Sequence, residues 1–387
     1  MLERPISKAG WTRVAFGDVV RLSKARVADP EAAGIERVVG LEHIEPGNLR
    51  IRRWGDVADG TTFTTMFKPG QVLFGKRRAY QRKVAVADFE GVCSGDIYVL
   101  EPANDRLMPE LLPFLCQTDA FFDHAVGTSA GSLSPRTNWT SLASFEFLLP
   151  PIQEQARLVE ILVATECSLE AYREVQERLS MLFDSTVSAF VARWDEKHEF
   201  DDVIVDTAYG TSKKSNSDGK GVPVLGIPNV LRDELYLGEF NTVDLSASEL
   251  KKLALEDGDI LVVRTNGNPL YVGRSVLVEN LGERFAYASY LIRIRVDKRR
   301  ITPAYAACVF GSLQVRQALR RLAKSSAGNF NLNSKDIRSI RLPIPSIEEQ
   351  TELVAQVSAL RRTSKELNKR IDAAFELNRK LLEDIFS

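Results

Sequence analysis

Apolar positions fall into two matching heptad runs along this chain. Leu158, Leu162, Thr165, Leu169, Tyr172, Gln176, Leu179, Phe183, Thr186 and Phe190 stand alternately four and three residues apart. The same spacing returns in Leu353, Val357, Leu360, Ser364, Leu367, Ile371, Ala374, Asn378, Leu381 and Ile385. A 3.5-residue average kept over several heptads predicts a coiled-coil seam on a long helix. Each helix opens just after prolines, and Ser346 with Glu349 forms a capping box for the second. In the first copy Pro151 takes the capping place, so only Glu154 remains. At about 1.5 Å per residue, the span from Leu158 to Phe190 predicts a rod of roughly 50 Å.

Outside these runs, short apolar stretches alternate with Gly, Pro and Asn. Gln71–Phe74, Val84–Val86, Ile97–Leu100, Asp259–Val263 and Tyr290–Val296 read as strands, and Pro109–Val126 and Pro303–Leu322 as helices. Each half is therefore expected to be a mixed α+β domain of about 145 residues.

The two registers coincide because the chain repeats itself. Pro150-Pro-Ile-Gln-Glu-Gln155 matches Pro345-Ser-Ile-Glu-Glu-Gln350 at an offset of 195, with six identities over the thirteen positions 150–162. About one would arise by chance, so the repeat is real. Upstream, Phe16-Gly-Asp-Val-Val20 pairs with Phe200-Asp-Asp-Val-Ile204, and Val39-Gly-Leu41 with Leu225-Gly-Ile227. Gly70-Gln-Val-Leu73 pairs with Gly258-Asp-Ile-Leu261, and Ser129-Ala-Gly131 with Ser326-Ala-Gly328. The order holds while the offset drifts, as loop insertions would cause. The expected organisation is a globular half (1–149), a helix (150–195), a second half (196–342) and a second helix (343–387). Helices at equivalent places in a duplicated chain are expected to pair antiparallel about a pseudo-two-fold axis.

Composition narrows the class. At 387 residues the chain exceeds one ordinary core, and 44% hydrophobic with 27% charged residues is typical of a soluble globular protein. No run of about 18 apolar residues predicts a membrane span, and residues 1–10 lack an apolar signal core. Cys93, Cys116, Cys167 and Cys308 lie far apart, which favours reduced thiols in the cytoplasm over a zinc site. The net charge of −1 is uninformative, but its distribution is not: residues 151–200 hold 5 basic against 10 acidic residues, residues 201–342 hold 21 against 16. A DNA binder needs a basic face rather than a basic average.

Catalytic constellations are missing. Gly70-Gln-Val-Leu-Phe-Gly75-Lys76 satisfies GxxxxGK, yet Arg77 stands where a magnesium-binding Ser or Thr belongs. His43, His124 and His198 are scattered, and Asp244 with Glu249 and Lys251 only loosely resembles a nuclease set. No Gly-rich dinucleotide turn or Asn-Pro-Pro-Tyr methyltransferase loop occurs.

What remains suits nucleic acid. Lys76, Arg77, Arg78, Tyr80, Gln81, Arg82 and Lys83 crowd one stretch after a strand, and Arg264, Asn266 and Asn268 occupy the matching place. Arg and Lys can pair phosphates or guanine, and Gln or Asn adenine. Polar loops at 129–138 and 325–335 add Arg136 and Asn138, then Asn329, Asn331, Asn333 and Lys335; Lys213 and Lys214 complete the candidates.

In this order the motifs resemble the specificity subunits of type I restriction–modification systems. The residues that carry the likeness are Leu149-Pro-Pro-Ile-Gln-Glu-Gln155, Leu342-Pro-Ile-Pro-Ser-Ile-Glu-Glu-Gln350, the helices after them, the Gly-x-[Val/Ile]-Leu strands and the Ser-Ala-Gly loops. The resemblance spans essentially the whole chain. It implies two target-recognition domains, each reading half of an interrupted duplex DNA site, joined by two long antiparallel coiled-coil helices. It also implies that the helices dock two methyltransferase subunits and, in the full complex, restriction and translocase subunits. S-adenosylmethionine, ATP and magnesium would then sit in those partners, giving N6-adenine methylation and ATP-dependent cleavage, with no cofactor in this chain. The competing reading is a coiled-coil scaffold, or an orphan subunit, that spaces two protein-binding domains.

Overall fold

The computed structural model describes residues 6–216, 219–230, 235–238, 240–326 and 328–386, so Ala327 of the second Ser-Ala-Gly motif lies outside the description. Packing divides the chain into two compact units, residues 1–173 with 369–387, and residues 174–368. The division falls inside both long helices, Ile152–Val191 and Ile347–Phe386. Each globular half therefore packs with part of each helix, rather than ending where the helices begin.

The first unit holds an antiparallel sheet in the spatial order Val20–Leu22, Ile97–Pro102, Val72–Gly75, Val84–Val86. The second unit repeats it with Ile204–Tyr209, Leu291–Val296, Ile260–Val263 and Ser275–Leu277. A smaller sheet also recurs, built on a parallel pair: Arg37–Val39 with Gly91–Cys93 in one unit, Val222–Leu225 with Ala286–Tyr287 in the other. An antiparallel ribbon closes each half, Thr12–Ala15 with Glu146–Leu149 and His198–Glu199 with Arg341–Leu342. The duplication seen in scattered motifs is thus a duplication of topology. Gly70 and Gly258 open equivalent strands with φ of 84° and 97°, a conformation costly for any residue with a Cβ.

The helices expected at Pro109–Val126 and Pro303–Leu322 are each broken once, at the same place. Thr118 and Ser312 cap new helices, Asp119–Gly127 and Leu313–Leu322, by accepting hydrogen bonds from Phe121 N and Val315 N. Apolar residues continue through both breaks, which is why periodicity alone reads one helix.

Both long helices run 40 residues, about 60 Å at 1.5 Å each, longer than the seam alone predicts. Leu158, Leu162, Leu169, Leu353, Val357, Leu367 and Leu381 are buried, while Tyr172, Leu179, Phe183, Leu360 and Ile371 are half-buried. Leu158 and Leu162 join Leu381, Leu382 and Ile385 in the first unit's core. In the second unit, Val187, Phe190 and Val191 share a core with Leu353 and Val357. There, Gln176 bonds Asn368, Arg361 lies over Phe183, and Arg193 pairs with Glu352. Partners fall in number as the first helix advances, so the pairing is antiparallel.

The repeated Pro-x-Ile-x-Glu-Gln motif has a mechanical reason. Gln155, with no exposed surface, accepts from Met108 N at 2.8 Å and donates to Arg106 O at 2.7 Å and Pro150 O at 2.8 Å. Gln350, equally buried, accepts from Thr302 N at 2.7 Å and donates to Arg300 O and Pro345 O at 2.9 Å each. One side chain thereby ties each helix start to the loop that follows a central strand. Ser346 and Glu349 form the expected reciprocal cap beside the second latch.

Candidate nucleic-acid interface

In the first half the strand Val72–Gly75 runs directly into Lys76, so the GxxxxGK residues are sheet rather than a phosphate-cradling loop. The Lys76 ammonium stands 4.6 Å from the Tyr98 ring, and burial lowers its pKa while Asp96 works the other way. Arg77 bridges Arg136 on the returning 129–138 loop, which closes on itself through Ala130 and Arg136. Arg77 and Arg136 both donate to Asp96, at 3.1 Å and 2.7 Å. Arg77 and Arg78 also meet at Ser134 Oγ, 3.0 and 3.3 Å away.

The cationic stretch then divides. Arg78 and Arg82 flank a short turn, both at φ 54°, a left-handed conformation that costs about 1–2 kcal/mol in a non-glycine residue. Arg78 N is held by Pro135 O at 2.7 Å. Arg82 turns to its own fold: its guanidinium lies 4.6 Å from the Phe122 ring and bonds Gln117 O and Asp119. Lys83 donates to Leu41 O, and burial lowers its pKa. Asn138 caps the helix Trp139–Ala143 by accepting from Ser141 N at 2.8 Å. Arg82, Lys83 and Asn138 therefore brace the platform. Lys76, Arg77, Arg78 and Arg136 form its charged surface, with Gln81 half-buried and Tyr80 exposed.

The second half builds the same platform from amides. Thr265–Asn266 pairs with Asn329–Asn331, and that strand pairs with Lys324–Ser326, matching the Arg77–Arg136 and Ala130–Arg136 bridges. Arg264 occupies the place of Lys76, bonded to Leu332 O and Ser289 O, with Tyr209 4.9 Å beneath. Asn266 and Asn268 accept from Asn268 N and Leu270 N, which fixes two successive turns. Asn331 donates to Asn329 O, and Asn333 caps Ser334–Arg338 by accepting from Lys335 N and Asp336 N. Lys335 and Lys214 are exposed, while Lys213 bonds Glu249 at 2.8 Å. That bond, with those from Ser246, holds the Glu249 pKa at about 2, so Glu249 is a capping carboxylate rather than part of a nuclease set.

Sequence reasoning missed Asp96, Ser134 and Tyr98, which organise the platform without belonging to any charge run. Among the described residues no group of three or more His, Cys, Asp or Glu could hold a metal ion, and no helix is long and apolar enough to cross a membrane.

Two copies of one α+β unit thus present a loop platform after an equivalent strand, cationic in the first half and mainly amide in the second. Residues 196–377 match the family model described as Type I restriction modification DNA specificity domain. The chain is 26% identical over 310 residues to the type I restriction enzyme EcoKI specificity subunit of Escherichia coli K12, covering 73% of this chain and 66% of that one. Against the StySPI specificity subunit of Salmonella potsdam it is 23% identical, covering 98% of this chain and 88% of the relative. The crystal structure of a type I restriction-modification system S subunit from M. genitalium shares the fold, with a TM-score of 0.55 at 15% identity over 100% of this chain and 98% of that chain.

Proposed function

We propose that this chain is the non-catalytic sequence-reading subunit of a type I restriction–modification complex, with each globular half reading one block of a bipartite duplex. The observation that carries this is the recurrence of one loop platform at equivalent positions of both halves, with different side chains on each. Equivalent scaffolds suit a shared task, and divergent loops suit two different sequences. The helices would dock the methyltransferase subunits, and apolar groups suited to docking are at hand: Ile161, Val163, Phe375 and Leu377 in the first unit and Val175, Met181 and Leu182 in the second are exposed. Each is already about half-buried, so covering the remainder contributes about 1 kcal/mol apiece. S-adenosylmethionine, ATP and magnesium belong, in this reading, to the partners.

Methylome sequencing of a host with and without the chain tests the proposal. A methylated motif of two blocks around an unread spacer is expected. Exchanging residues 1–149 for those of a relative should change one block only. A single uninterrupted motif, or a change in both blocks, would refute the reading.

A further inference from the structure

The first half's platform gathers Lys76, Arg77, Arg78 and Arg136 around one carboxylate. Asp96 accepts from Arg77 Nη1 and Arg136 Nε, one on each carboxylate oxygen. Its side chain is only 19% exposed, while those of Arg77 and Arg136 are 37% and 49% exposed, so solvent screens these contacts in part. Burial alone would raise its pKa, but the hydrogen bonds from Arg136 and Arg77 outweigh that and keep it below the ordinary carboxylate value. Asp96 is therefore ionised at neutral pH. Among the described residues Arg136 makes its hydrogen bond through Nε alone, which leaves both Nη groups as a fork of the kind that meets guanine O6 and N7, or a phosphate. The second half has no carboxylate in this place: Tyr290 precedes the equivalent strand, and Arg264 is held by carbonyls.

We infer that Asp96 is a positioning residue for DNA recognition, fixing Arg77 and Arg136 in one orientation while reducing their general attraction to phosphate. The inference rests on the proposed reading that this platform touches duplex DNA. An unrestrained arginine binds any phosphate it can reach, and that attachment carries no sequence information. A carboxylate bonded to two guanidiniums opposes it twice: it cancels one charge near the duplex, and it limits the directions in which the forks can point.

The test uses the full-length chain, fluorescence anisotropy on mixed-sequence duplex over a range of salt, and selection from a randomised duplex pool. For Asp96→Asn, affinity for mixed-sequence DNA is expected to rise on the order of threefold at low salt. The slope of log K against log salt should steepen by about 0.9, one added counterion. Preference for the selected sequence should fall by about tenfold, the low end of one lost bidentate contact. Asp96→Glu keeps the charge but moves it, so the slope should stay wild-type while preference falls; this variant carries the test if Asp96→Asn fails to fold. An unchanged slope and preference in Asp96→Asn, with Arg136→Ala still weakening binding, would overturn the inference and leave the DNA reading standing. If Arg77→Ala and Arg136→Ala alter neither affinity nor selected sequence, the platform does not touch DNA, and both fall together.

Discussion

Replacing Gln350 with Ala removes two donors and one acceptor from a fully buried position, leaving Thr302 N, Arg300 O and Pro345 O without their partner. Each neutral hydrogen bond contributes about 1 kcal/mol net, and each buried group left unpaired costs about 1–3 kcal/mol. Relaxation and water entry offset part of that, so a loss of about 3–5 kcal/mol is expected. Thr302 also caps the helix Pro303–Phe310 through its hydroxyl on Tyr305 N, so freeing its backbone should loosen the helix start. For a unit of this size, about 2–4 °C per kcal/mol translates the loss into a fall of about 6–20 °C in the second unit's transition. Calorimetry measures the fall, and hydrogen exchange localises it: the Thr302 amide should lose protection while the Met108 amide keeps it. Gln350→Glu adds a sign test. A buried carboxyl has a raised folded pKa, so its contribution is present at low pH and lost as pH rises through that value. A fall of under about 2 °C in Gln350→Ala, with Thr302 still protected, would refute the latch.

The remaining predictions use other parts of the scaffold. Leu169→Asp and Leu367→Asp, at positions 1% and 8% exposed, should each destabilise their unit by several kcal/mol in chemical denaturation, whereas Ser364→Ala should be tolerated. Native protein treated with N-ethylmaleimide should be labelled quickly at Cys167 alone. Cys93, Cys116 and Cys308 are buried, and burial pushes the Cys93 thiol up to about 12 and Cys308 to about 11. Mass spectrometry showing fast labelling at any of those three would contradict the packing. The isolated chain should hydrolyse no ATP, since Val72–Gly75 is a paired strand; turnover abolished by Lys76→Ala would overturn that assignment.

Long-range periodicity was legible because it is a property of one segment. The heptad positions Leu158 to Phe190 need no knowledge of a partner to be read, and the repeat then supplies the partner. The break at Thr118 was less visible: a capping side chain is one residue, while the apolar pattern on both sides, Leu115 and Phe121, argues for continuity. The site was legible as charge and not as geometry. Arg82 and Arg77 belong to one cationic run, yet Asp119 and Phe122 claim the first and Asp96 the second. Only the folded chain brings those partners close, so no local window separates a bracing arginine from a presented one. Gln155 and Gln350 show the same limit, since recurrence marks them as repeated without naming the carbonyls they hold.

The two halves diverge in a way that keeps the scaffold while changing its polarity. Asp184 and Arg379 stand at equivalent places, 195 residues apart, with opposite charges. In the second unit Asp184 accepts from Leu313 N at 2.8 Å and lies 3.8 Å from Arg316. A carboxylate suits that place, because the first turn of the helix Leu313–Leu322 presents unpaired N–H groups and a partial positive charge. An arginine in the first unit would face the same unfavourable end. There, however, the first helical residue is Asp119, which bonds Arg379 and Arg82 and reverses the local charge. Neither Asp184 nor Arg379 could be exchanged alone without placing like charges together, so the paired changes hold each half to its own helices. The latch glutamines face carbonyls and an amide, which every sequence supplies, and they stayed identical. The charged contacts differ, a carboxylate on a backbone amide and Arg316 in the second unit and an arginine on Asp119 in the first. The loop platforms touch neither constraint, and there the halves differ in character, Arg77, Arg78 and Arg136 on one and Asn266, Asn329 and Asn331 beside Arg264 on the other.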